Sequence, residues 1–168
     1  MDAWESASQE IVYHDPFDTF SALSYKTPTV PPNHPDHGQF NITSMPATIL
    51  IADDHEDNRE LLRLLLTGAG YNVREARDGN ECLGFARNEP PNLIVMDLSM
   101  PVLDGWGLMR ELQADERTQA IPCMVVTAHA DFARNDALQT GFAAYVSKPY
   151  IAEAILDTIA RILADQSV

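Results

Sequence analysis

A chain of 168 residues is long enough for one globular domain of ordinary size with an appendage, and too short for two. Its 25 acidic side chains against 11 basic ones leave a net charge of −14, a field that repels nucleic-acid phosphates and anionic membranes, so no direct nucleic-acid or membrane partner is expected. No apolar run approaches the roughly 18 residues of a membrane span, and the N-terminus is acidic where a secretory signal is basic, which predicts a cytoplasmic protein.

Residues 1–46 hold six of the 11 prolines (Pro16, Pro28, Pro31, Pro32, Pro35 and Pro46) and sustain neither helical nor strand periodicity. They read as an acidic, Pro-rich tail without fixed structure, extended over residues 27–39. Its aromatics (Trp4, Tyr13, Phe17, Phe20, Tyr25 and Phe40) are unusual in a spacer, so three readings stand side by side: a spacer, a docking segment around residues 11–23, and sequence upstream of a true start at Met45. His34 and His37 have HxxH spacing, but Pro32 and Pro35 block helical presentation and no second ligand pair is near, so no metal site is read there.

From residue 47 to 168 the pattern becomes strand and helix in alternation. Residues 48–52 are apolar on both parities, as in a strand covered on both faces, and stop on Asp53-Asp54. Asp57-Asn58 supplies a helix start, Leu61, Leu62, Leu64 and Leu65 a buried stripe, and Gly68 and Gly70 the stop. A second strand spans 71–76, and a helix through Cys82, Leu83, Phe85 and Ala86 ends at Pro90-Pro91. Strand 93–97 closes on Asp97, followed by Leu98-Ser99-Met100-Pro101, Asp104-Gly105 and a helix through Leu108, Met109 and Leu112. Residues 121–127 form a fourth strand ending on Thr127, 131–140 a polar fourth helix, and 144–147 a fifth strand ending before Lys148. The last helix carries Ile151, Ile155, Ile159 and Ile162 on one stripe. Cys82 and Cys123 lack metal or CxxC spacing and read as buried, reduced thiols.

Five βα units in strict alternation imply a parallel sheet with helices on both faces, and ligands of such sheets bind beyond the carboxyl ends of the strands. A single polar residue at a strand end needs no explanation beyond contact with water. Asp53 and Asp54, Asp97, Thr127 and Lys148 at four such ends do. Carboxylates about 4 Å apart repel by about 4 kcal/mol per pair at an effective dielectric near 20. A hard divalent ion with oxygen ligands, Mg²⁺ above all, offsets this, and Lys148 adds a fixed positive charge. A carboxylate facing a metal ion and an ammonium is arranged to attack phosphorus and become an aspartyl phosphate, with Thr127 as a neutral donor.

These residues resemble the receiver domain of two-component response regulators (CheY-like): the acidic pair Asp53 and Asp54, Asp97 within Met96-Asp97-Leu98-Ser99-Met100-Pro101, Thr127, and Lys148-Pro149. The resemblance covers 47–168 and none of the tail. It implies a flavodoxin-like (βα)5 fold with strand order 2-1-3-4-5 and a cis peptide at Lys148-Pro149. It implies a signalling protein that catalyses only its own phosphorylation and dephosphorylation. A histidine kinase or histidine phosphotransfer protein would donate to Asp97 with Mg²⁺ held by Asp54, Asp97 and the Ser99 carbonyl, Asp53 acting through water. Thr127 and Tyr145 would carry the switch to a downstream protein on the face of the fourth helix, fifth strand and fifth helix, and Ser99 and His129 would set the phosphate lifetime.

A single-domain regulator is the expected role, with a phosphorelay intermediate or a receiver fragment of a hybrid kinase as the alternative. A flavodoxin-like flavin carrier needs a hydroxyl-rich loop where this chain has Asp53-Asp54-His55-Glu56-Asp57, a haloacid-type hydrolase needs an acid at Ser99, and a pseudo-receiver scaffold would not need the full residue set.

Overall fold

The computed structural model describes residues 12–13, 46–128 and 140–166. The remainder of the tail with His34, His37 and Met45, position 129, and the expected fourth helix over 131–139 lie outside the described residues.

Five strands follow the expected alternation: β2 (Thr48–Ala52), β3 (Asn72–Ala76), β4 (Leu93–Met96), β5 (Cys123–Thr127) and β6 (Ala144–Ser147). They pair in parallel as β3-β2-β4-β5-β6, which is the order 2-1-3-4-5 when only these five are counted. β5 opens at Cys123, not at Ile121, because Pro122 has no N–H for the ladder.

Alternate residues of the strands face two separate cores. Leu50, Ile94, Met96 and Val125 pack with Cys82, Ala86, Leu108 and Leu112 of α2 (Gly79–Asn88) and α3 (Gly105–Ala114). Ile49, Ile51, Val95 and Met124 pack with Leu62 and Leu66 of α1 (Glu56–Gly68) and with Ile155 and Ile159 of the C-terminal helix (Ala152–Asp165). Both faces being covered is what made the strands read as continuous apolar runs.

Three details depart from the sequence reading. α1 starts at Glu56 after His55, and its buried residues are Arg59, Leu62 and Leu66, whereas Leu61 and Leu64 are 57% and 58% exposed. The run Leu-Leu-Arg-Leu-Leu-Leu holds more leucines than one helical stripe admits, and the stripe that is buried is the i, i+3, i+7 set Arg59, Leu62 and Leu66. Ile151 is 60% exposed because it caps the C-terminal helix instead of lying on its apolar face. The third departure is a sixth strand: β1 (Val12–Tyr13), from the tail, pairs antiparallel with β6 and makes the sheet order β1-β6-β5-β4-β2-β3. Among the described residues no helix is long and apolar enough to cross a membrane.

Candidate functional site

The site is assembled by the ends of four adjacent strands. The Asp97 N–H donates to the Ala52 carbonyl (2.8 Å) and the Lys148 N–H to the Thr127 carbonyl (2.8 Å), so the last rungs of the ladders set the residues just beyond β2, β4 and β6 beside the end of β5. Lys148-Pro149 is cis.

Lys148 is the centre of the charge arrangement. Its Nζ donates to Asp53 Oδ2 at 2.7 Å and to Asp97 Oδ2 at 2.9 Å, bridging two carboxylates that are 2% and 8% exposed. The other Asp97 oxygen, Oδ1, accepts the Ser99 N–H at 3.0 Å. Burial pushes the Asp97 carboxyl up, but the bond from Lys148, the Ser99 N–H and the Thr127 hydroxyl outweigh it and hold the group below the usual carboxylate range. Lys148 is the mirror case: burial lowers its ammonium, and bonds to Asp53 and Asp97 raise it above its ordinary value.

The acidic pair divides into an inner and an outer member. Asp53 points inward, where Oδ1 accepts the His55 N–H (2.9 Å), the Asn58 side-chain amide donates to both of its oxygens (3.3 and 3.1 Å), and Arg59 donates to its backbone carbonyl (2.8 Å). Asp54 stands at the rim, its side chain 29% exposed and its Oδ1 2.8 Å from His55 Nδ1. Asn58 and Arg59 were not singled out for the site from sequence. The available signal was a polar pair one turn into α1, in a helix otherwise crowded with leucine.

Thr127 is fully buried at the end of β5, and Tyr145, 8% exposed, lies opposite Val125 in the β5–β6 ladder. The structure thus brings Asp53, Asp54, Asp97, Ser99, Thr127 and Lys148 to one sheet edge. Tyr145 sits two residues back along β6, and His129 falls outside the described residues.

Gly105 belongs to this site by shape. A Cβ there would stand 2.7 Å from the Asp97 carbonyl oxygen and 2.8 Å from Leu98 Cα, so only glycine lets α3 start this close to the Asp97 loop. The same loop holds Val102 at φ +69, with the Leu103 N–H bonded to the Pro101 carbonyl (2.8 Å) across it, a tight γ-turn on a β-branched residue.

Carboxylate oxygens of Asp53 and Asp54 and a ring nitrogen of His55 lie within 4.8 Å of one another. The carboxylate oxygens suit a hard divalent cation, and the rim position of Asp54 leaves it open to a hydrated one; the His55 nitrogen is not a donor that Mg²⁺ favours.

A family model for the response regulator receiver domain matches residues 49–160. The polar-differentiation response regulator DivK of Brucella anthropi is 35% identical over 122 residues, 72% of this chain and 99% of that protein. Among solved structures, the chemotaxis response regulator CheY4 of Vibrio cholerae aligns with a TM-score of 0.66 at 26% identity, over 70% of this chain and 99% of that one. The receiver domain of a sensor histidine kinase of Pseudomonas aeruginosa, solved with a magnesium ion coordinated in its active site cleft, aligns with a TM-score of 0.67 at 28% identity, over 71% of this chain and 98% of that one.

Proposed function

The chain belongs to the response regulator receiver family, and from that premise we propose that Asp97 accepts a phosphoryl group from the phosphohistidine of a kinase or a histidine phosphotransfer protein, with Mg²⁺ bound beside it. The observation that carries the reading is Lys148 bridging Asp53 and Asp97 at 2.7 and 2.9 Å, next to the rim carboxylate Asp54.

Asp97 is kept ionised by Lys148, the Ser99 N–H and the Thr127 hydroxyl, so no general base is required. Its carboxylate forms the new P–O bond while the P–N bond of the donor breaks, the electron pair leaving on the imidazole nitrogen. Lys148 is the fixed cation that turns to an oxygen of the transferred group, and Thr127 is the neutral donor next to it. Asp53 and Asp54, with Asp97 and the Ser99 carbonyl, would hold Mg²⁺, which when bound neutralises charge on the phosphoryl oxygens. Small changes at Thr127 and Tyr145 then alter protein contacts on the face that includes β6 and the C-terminal helix, and Ser99 and His129 set how long the group lasts.

A second reading has the same site: a receiver within a relay or a hybrid kinase, favoured by the likeness to the sensor-kinase receiver domain. Both are tested first at Asp97. Acetyl phosphate with Mg²⁺ is expected to add the mass of one phosphoryl group to the intact chain and none to Asp97→Asn. An unmodified wild-type chain, or an equally modified variant, would overturn the proposal.

A further inference from the structure

Strand β1 lies outside the five βα units, yet it occupies a specific position. Without it β6 would be the edge of the sheet, with a row of unpaired backbone donors and acceptors that serves as a template for any extended segment. The tail fills this place with Val12 opposite Tyr145 and Tyr13 opposite Ala144. Valine and tyrosine are residues that suit a strand, in a stretch that otherwise shows no strand pattern.

We propose that β1 is an intramolecular cover over the signalling edge: it holds β6 beside Tyr145 while Asp97 is unmodified, and leaves when Asp97 is phosphorylated, so that an extended segment of a partner protein pairs there in its place. This rests on the phosphoacceptor reading above.

Two features connect the cover to the site. β6 is one short strand: β1 pairs with Ala144 and Tyr145 on one side, and β5 pairs on the other as far as Thr127 opposite Ser147. The next residue is Lys148, whose Nζ is bonded to Asp97. A movement of Lys148 or Thr127 toward a phosphoryl group therefore acts on the strand that β1 is attached to. The strength of the cover also fits release. Its ladder is two residues long, against three to five in the parallel ladders that surround the site, so it is the pairing that opens first. β1 and β6 belong to one chain, so their pairing is intramolecular and has an effective-concentration advantage over any free segment. A free segment competes with that only if it forms a longer ladder or if β6 has changed.

Residue-resolved amide exchange on the full chain tests this. In Val12→Pro/Tyr13→Pro, which leaves β1 no N–H to donate and disfavours its pairing, edge-facing amides within residues 144–146 are expected to exchange roughly tenfold faster, while those facing β5 keep their rates. Beryllofluoride with Mg²⁺ is expected to produce the same acceleration in the wild type and none in Asp97→Asn, with occupancy read separately from the fluorine resonance of the bound anion. Unchanged edge exchange in the proline variant overturns the cover. Bound fluoride with unchanged edge exchange overturns its release while leaving Asp97 as the acceptor, whereas absence of bound fluoride defeats the acceptor reading and with it the release. Edge protection that grows with protein concentration assigns the strand to a second copy and overturns the intramolecular form.

Discussion

Replacing Lys148 with methionine keeps most of the side-chain volume and removes the charge on which two buried carboxylates converge. Each Lys148 contact, at 2.7 and 2.9 Å, has a gross attraction of about 6 kcal/mol at an effective dielectric near 20, most of it cancelled by desolvation. The two oxygens are bonded to one nitrogen and so stand within about 5.6 Å of each other, where their bare repulsion is about 3 kcal/mol. Breaking a buried pair from one side costs about 3–5 kcal/mol, and the low end applies here because the pocket opens to water at Asp54.

The pH dependence separates this account from a simple packing defect. In the wild type the Asp97 carboxyl is held low, so its contribution is present above its unfolded pKa of about 3.9 and is lost as pH falls through the folded value. Lys148 is raised, so its contribution is complete below about 10.4 and is lost as pH rises through the folded value. Between about pH 5 and pH 8 neither contribution changes. In Lys148→Met, burial, the largest influence on Asp97, is no longer opposed by the ammonium, and the carboxyl moves upward. Urea unfolding with a chelator present should therefore show a loss of about 3 kcal/mol near pH 8 that shrinks toward pH 5 as the Asp97 carboxyl takes up a proton. A variant whose stability runs parallel to the wild type across that range refutes the reasoning.

Gly105→Ala should destabilise by about 1–3 kcal/mol although alanine favours helices, because its Cβ meets backbone atoms of Asp97 and Leu98 that cannot rotate away; a neutral or stabilising effect in urea unfolding would contradict the close approach. Val102→Gly has the opposite sign: relief of about 1–2 kcal/mol of left-handed strain exceeds the entropy that glycine adds to the unfolded chain, and a net gain of about 0.5–1 kcal/mol is expected by the same measurement. Cys123 is pushed up to about 12 by burial, and Cys82 is raised further by the same cause. A thiol reagent at neutral pH should label neither in the native chain and both in denaturant, so rapid native labelling would show that the core they share opens.

The strands were legible because a parallel sheet buried on both faces writes itself as uninterrupted apolar runs, and the polar residue ending each run marks where the sheet meets water. That pattern places Asp53, Asp97, Thr127 and Lys148 together from the sequence alone. The register of α1 was not legible, since six residues with five leucines satisfy several stripes; in the fold Leu62 and Leu66 enter the core and Arg59, on the same stripe, reaches the Asp53 carbonyl. The division between Asp53 and Asp54 was hidden for a related reason. Adjacent acids look equivalent in a sequence, and what distinguishes them is the Asn58 amide, one turn into the helix, which holds Asp53 inward and leaves Asp54 to the rim. β1 escaped because two residues are too short to carry a period; the pairing depends on the open edge of β6, some 130 residues away in sequence.

The inward hold on Asp53 has a consequence for the proposed reaction. Asp53, Asp54 and Asp97 with Lys148 leave two negative charges at the strand ends, which a divalent cation matches. Converting the Asp97 carboxylate to an acyl phosphate would replace one negative charge by about two, and the new oxygens would stand farther out than the old ones. Lys148 would follow them by loosening its 2.7 Å bond to Asp53. Asp53 tolerates this because the Asn58 amide and the His55 N–H already donate to it, so its buried carboxylate is not left without donors when the ammonium turns away. On the proposed reaction Asn58 and the His55 backbone would thus free the lysine to follow the phosphoryl group, and because Lys148 directly follows β6, that turn would also be a pull on the strand that carries Tyr145.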